Sequence, residues 1–151
     1  MSSFAPNTKQ PRQTVLLVEA DVIVRFALAE HLRACGHTVI EVVSGSEARA
    51  VLLAGPEVHV LIADAQLAQD DSGFALAHWV RRHRKSVDVI LTGTLGHKVQ
   101  VACEFCADGD RADKDAQRLT ARIQTMLAER KRRLRPAPKT SPAPAPKRKR
   151  T

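Results

Sequence analysis

Tyrosine is missing from this chain, and aromatic residues make up only 3% of its 151 positions. A core built from such material has to be aliphatic. The basic stretch after position 130 has no aromatic residue on which a base could stack, so base-specific binding there is disfavoured. Long apolar runs are missing too: none approaches the roughly 20 residues needed to cross a bilayer, and MSSFAPNTKQPRQ at the start has no apolar centre of the signal-peptide kind. A cytoplasmic location is therefore expected. Cysteine is scarce, with only Cys35, Cys103 and Cys106. An odd count without a framework of pairs suits a reducing compartment. Cys103 and Cys106 form a CxxC, but no second ligand pair stands at zinc spacing, and the pair falls inside a helical pattern. Both are therefore read as packing residues.

Acidic charge is missing from one region only. Ten of the 24 Lys and Arg residues lie between positions 130 and 151, where there is no Asp or Glu, leaving 14 bases against 16 acids elsewhere. The formal charge of +8 thus belongs to a tail, KRRLRPAPKTSPAPAPKRKRT, whose Pro-Ala units favour extended, solvated chain. The division expected is a disordered segment over 1–12, one folded domain over 13–130, and a disordered basic tail over 131–151.

Within the domain, apolar strand-like runs alternate with amphipathic helical stretches. TVLLVEAD reads as a strand ending in Glu19 and Asp21. VIVRFALAEHLRACG spaces Ile23, Phe26, Ala27 and Leu32 at helical intervals and closes on Gly36. HTVIEVV is a β-branched second strand. Ser44 and Glu47 fit a capping box opening the second helix, which Gly55-Pro56 ends. VHVLIAD, Val58 to Asp64, is apolar enough for a strand buried on both faces. Ser72-Gly73 opens the third helix, and Val87 to Thr92 forms a fourth strand. Helices are expected over about 96–107 and 115–133. GDRADKD between these last two is too polar for a buried edge, so a fifth strand there would be short or exposed.

Short connections between alternating elements imply parallel pairing, with right-handed crossovers and helices on both faces. The fold class expected is a doubly wound, flavodoxin-like α/β sandwich of five parallel strands in the order 2-1-3-4-5. In that order the carboxyl ends of the first, third and fourth strands converge. Glu19, Asp21, Asp64 and Thr92 would share one crevice, with Lys114 arriving just before the last helix. Carboxylates of this kind can hold a hard divalent cation, and an aspartate can attack a phosphoryl group. The hydroxyl and the ammonium would then offset charge on the transferred oxygens.

Over about residues 13–130 the chain resembles the receiver domains of two-component response regulators. TVLLVEAD, VLIAD, DSG, VILTG and ADK follow that family's order and spacing. The resemblance implies a signalling protein rather than an enzyme, with Asp64 accepting phosphate from a sensor histidine kinase or a histidine phosphotransfer protein. Glu19, Asp64 and the main-chain carbonyl of Gln66 would hold Mg²⁺, with Asp21 a further candidate. Thr92 and Lys114 would grip the phosphoryl group. Output would pass to a protein docking on the fourth helix, fifth strand and fifth helix, since only about 20 low-complexity residues follow. Four positions depart from the family pattern: Ala20 replaces a metal-binding acid, Asp115 stands where proline follows the lysine, Arg111 takes the place of the switch aromatic, and AQLAQDD lacks a proline. The alternative is a degenerate receiver that docks without phosphate, its tail touching nucleic acid or an acidic partner through charge alone.

Among weaker signals, GTLGHK, Gly93 to Lys98, lacks the length and the hydroxyl residue of a phosphate loop. His78, His83 and His97 read as solvated helix residues, and Trp79 as a partly buried packing residue. A flavin-binding role is disfavoured because the acids after the first strand would repel an uncompensated phosphate.

Overall fold

In the computed structural model, residues 11–67 and 72–136, together with Pro146, are described. Most of the expected disordered segments, 1–10 and 137–151 apart from Pro146, lie outside the described residues, as do positions 68–71 of the loop after Asp64.

Four five-residue strands, β1 (Thr14–Val18), β2 (Thr38–Val42), β3 (Val60–Asp64) and β4 (Asp88–Thr92), form a parallel sheet in the order β2-β1-β3-β4. Five helices accompany them: α1 (Val22–Ala34), α2 (Gly45–Ala54), α3 (Gly73–His83), α4 (Leu95–Glu104) and α5 (Gly109–Arg133). The parallel α/β architecture and the order of the first four strands are as expected, whereas the fifth strand is not formed among the described residues. GDRADKD instead makes the first two turns of α5. The reason is compositional: only Ala112 in that stretch is buried, and it continues a helical row through Leu119 and Ile123. A strand would need β-branched apolar residues facing both helical layers.

Alternation along the strands divides the core in two. Val15, Leu17, Val60 and Ile62 face one layer, built from α1, α4 and α5; Leu16, Val18, Leu61 and Ala63 face the other, built from α2 and α3. Among the described residues nothing extends the sheet beyond β4, and α4 packs on α1 and α5 within the first layer. The docking face expected from the fourth helix, fifth strand and fifth helix is therefore reduced to a helix pair.

Local signals for the helix ends hold in outline. Ser44 Oγ accepts from the Glu47 amide at 3.2 Å, while the Glu47 carboxylate reaches back one residue further than expected, to the Val43 amide at 3.0 Å. Gly55 caps α2 in the left-handed region, at φ 103°. Phe26, expected on the inner face of α1, is 51% exposed, and the helix turns Val24, Ala27, Leu28 and Leu32 inward instead. Trp79 is half-buried against the second layer and stacks on His83 at 4.6 Å, and His78, His83 and His97 are exposed as expected.

The cysteine expectation is corrected. Cys35, at the end of α1, and Cys106, just after α4, form a disulfide across 71 residues, leaving Cys103 as a buried free thiol. No spacing rule could reveal this pairing, because it depends on α4 lying beside α1.

Gly73 matters to the site that follows. A Cβ there would stand 2.2 Å from the main-chain oxygen of Asp64 and 2.7 Å from Cα of Ala65. Its absence lets the start of α3 close against the end of β3. Gly73→Ala should therefore lower unfolding free energy by about 2 kcal/mol or more in urea titrations, whereas Gly93→Ala, whose Cβ would meet nothing within 4 Å, should change it by less than about 1 kcal/mol.

Candidate functional site

The carboxyl ends of β1, β3 and β4 do converge. Asp64 ends β3 and stands in register with Thr92 at the end of β4, and Glu19 follows the last residue of β1. Glu19 is 3% exposed and Thr92 2%. What joins the two carboxylates is a residue the sequence did not single out for this role. Lys98, in the first half of α4, donates from Nζ to Asp64 Oδ2 at 3.0 Å and makes a second, short contact with Glu19 Oε1. The remaining oxygens are also used. Asp64 Oδ1 accepts from the Gln66 amide at 2.9 Å, and Glu19 Oε2 from the Asp21 amide at 3.0 Å.

Burial works against the Lys98 ammonium, but the hydrogen bonds it donates to Glu19 and Asp64 outweigh it and hold the amine above its ordinary value of 10.5. The lysine is therefore charged throughout the neutral range. Its stabilising contribution is complete below pH 10.5 and disappears only as pH rises through the elevated folded value.

Lys114, expected to supply this amine, is exposed on α5. Once 109–115 becomes helix rather than strand and loop, Lys114 is carried on an outer turn of α5, and the ammonium comes from α4 instead. A faint signal did exist: Lys98 lies six residues past Thr92 and is the only lysine in α4.

Asp21 is also diverted. Its Oδ1 caps α1 by accepting from the amides of Ile23 at 2.9 Å and Val24 at 3.1 Å. Arg130 of α5 grips both oxygens, at 3.1 and 2.7 Å. That hydrogen-bonded guanidinium is the main cause of an Asp21 pKa below the ordinary 3.8. Thr92 is adjacent to Asp64 but does not bond to it; its hydroxyl donates to the Ala63 carbonyl at 3.3 Å.

These positions bear on Mg²⁺. A hard divalent cation seeks about six oxygen ligands. Here Ala20 brings no side-chain oxygen, Asp21 is committed to Arg130 and the α1 cap, and Lys98 already bridges Glu19 and Asp64. As arranged, the donor set does not fit Mg²⁺, because a tethered ammonium holds the place between the carboxylates.

Comparison with solved structures places this architecture. The fold is that of response-regulator receiver domains. A CheY-like receiver domain from Methylobacillus flagellatus is 24% identical with a TM-score of 0.50, over 64% of this chain and 82% of that one. The response regulator TrrA from Thermotoga maritima, in complex with Mg²⁺–BeF, is 19% identical with a TM-score of 0.51, over 71% and 98%. A receiver protein from Pseudomonas putida is 20% identical with a TM-score of 0.51, over 78% and 97%. No family model matches the sequence, and no curated protein matches it. Among the described residues, no helix is long and apolar enough to cross a membrane. The receiver fold is thus present with four strands among the described residues, and the ammonium beside Asp64 comes from α4.

Two outcomes follow. Lys98→Met strands a buried glutamate beside an aspartate and should cost about 3 kcal/mol of stability, with much of the loss recovered in the Lys98→Met, Glu19→Gln double variant, both read by urea unfolding. Arg130→Gln should destabilise the protein at pH 7. Since the Asp21 pKa is depressed on folding, that difference is present above about pH 3.8 and should vanish as pH falls through the folded value; a deficit that persists unchanged in acid would exclude the ion pair as its source.

Proposed function

We propose that the chain is a phosphorelay receiver that accepts phosphate on Asp64 from a sensor histidine kinase or a histidine phosphotransfer protein and signals by docking to a downstream protein. The observation that carries this reading is the Asp64 carboxylate at the carboxyl end of a central strand, with the Lys98 ammonium 3.0 Å away. In the transfer, an Asp64 oxygen attacks phosphorus and the phosphorus–nitrogen bond of the phosphohistidine breaks. The electron pair stays with the departing imidazole, which carries its proton away. Phosphoryl transfer needs mainly positioning and charge compensation, and Lys98 supplies positive charge beside the acceptor without a proton having to move.

A phosphoryl group on Asp64 brings new anionic oxygens within reach of Lys98 and competes with Glu19 for it. Lys98 belongs to α4, so the competition is felt where α4 packs on α1 and α5. Thr92 starts from its bond to the Ala63 carbonyl and can rotate its hydroxyl toward the new oxygens without leaving the strand.

A second reading, favoured by the ammonium already bridging both acids and by Ala20, is a receiver fold that docks without phosphate. Its tail would add salt-sensitive contact with nucleic acid or an acidic partner. One experiment separates the two. Incubation with a small phosphodonor should add one base-labile phosphate by intact-mass measurement, absent in Asp64→Asn and slowed more than tenfold in Lys98→Met. Because no step depends on a divalent ion, a chelator should leave the wild-type rate within a few-fold. No added mass under saturating donor, with or without Mg²⁺, rejects phosphate acceptance and leaves the docking module.

A further inference from the structure

At the far end of α1 and α4 from Asp64 lies a cluster that the signalling reading does not use. His31 and Cys35 stand four residues apart on α1 and its cap, and so share a face. The turn after α4 brings Cys106 to them, its Sγ 3.7 Å from the His31 carbonyl oxygen. One ligand atom from each of His31, Cys35 and Cys106 lies within 4.8 Å of the others. The second observation concerns the imidazole itself: His31 Nε2 is buried and has no hydrogen-bond partner. Unpartnered buried ring nitrogens are costly. Beside the ring opens a cleft of about 190 Å³ lined by His31, Asp115, Arg118, Leu119 and Arg122, with room for water.

We propose that reduction of the Cys35–Cys106 disulfide converts this cluster into a binding site for a zinc-class divalent cation, held by both cysteine sulfurs and His31, with water from the cleft in the fourth position. Two thiolates and an imidazole are a borderline-soft set that selects Zn²⁺ over Mg²⁺ or Ca²⁺. Tetrahedral geometry with zinc–sulfur bonds of about 2.3 Å needs sulfurs roughly 3.8 Å apart. The two Cα atoms are 5.4 Å apart, so side-chain rotation is sufficient to open the pair to that spacing.

The chemistry balances. A dithiol reductant attacks one sulfur of the bridge and frees the other as a thiolate. Its second thiol then displaces the first, so the reductant leaves as a disulfide and the protein gains two electrons and two protons. Metal binding releases those two protons, since thiolates are the ligands. Oxidised protein ties α1 to α4 covalently, and metal-loaded reduced protein ties them by coordination. Reduced, metal-free protein has neither link. This inference is independent of Asp64, and its failure leaves the phosphate-acceptor reading untouched.

The test uses the full chain reduced with a phosphine, which does not compete as a thiol ligand. Titration with Co²⁺ should give one equivalent of a tetrahedral complex with a thiolate-to-cobalt charge-transfer band, bleached by one equivalent of Zn²⁺. Cys35→Ser and Cys106→Ser should each lose the band, Cys103→Ser should keep it, and His31→Gln should weaken binding more than tenfold. Protein left oxidised should show no band and one titratable thiol after denaturation, that of Cys103. The proposal is overturned by any of four results: no charge-transfer band in reduced wild type, a band that survives Cys106→Ser, equal binding by oxidised protein, or loss of helical circular dichroism on reduction alone.

Discussion

The tertiary arrangement depends on one ammonium group placed between two carboxylates at the end of a parallel sheet. Glu19 and Asp64 are held there by strands whose apolar residues leave them no choice of depth, so each acid is withdrawn from bulk water. Two like charges so placed repel, and either would be costly alone. Lys98 resolves the conflict, and in doing so it settles where α4 must begin. The helix crosses back over the sheet with its first turns above the acids. Its buried face, Val99, Val101, Ala102 and Cys103, then meets α1 and α5.

Ala20 leaves two acids, not three, for the ammonium to balance. Three acids around a divalent ion carry a net charge of −1, and so do two acids around one lysine. Lys98 therefore gives the two acids the same local charge balance with a cation that is tethered to the chain. Asp21 is drawn away from these acids by a guanidinium from the far end of α5. That contact also fastens α5 to the start of α1.

The two ends of the α1–α4 pair therefore carry different chemistry. At one end, charge holds α4 to the sheet edge through Lys98. At the other, sulfur holds it to α1 through Cys35 and Cys106. The helix is thus anchored at both ends by bonds of different kinds, an ion pair at one and a disulfide at the other.

Much of this could be read in the residues themselves. Unbroken apolar runs identified four strands, cap residues marked the helix starts, and the abrupt stop at Asp64 located the sheet edge, because burial on two faces and hydrogen-bond closure are local demands. The amine was not legible in the same way. Whether Lys98 or Lys114 reaches Asp64 turns on whether 109–115 pairs with β4 or coils into α5, a competition between a polar edge strand and an amphipathic helix that only packing decides. The Cys35–Cys106 bond and the Arg130 grip on Asp21 join residues 71 and 109 positions apart, so neither spacing nor composition could disclose them. Sequence alone determined which groups could do chemistry; the layering of α4 against α1 decided which of them meet, since contact between distant residues is set by how helices share a face.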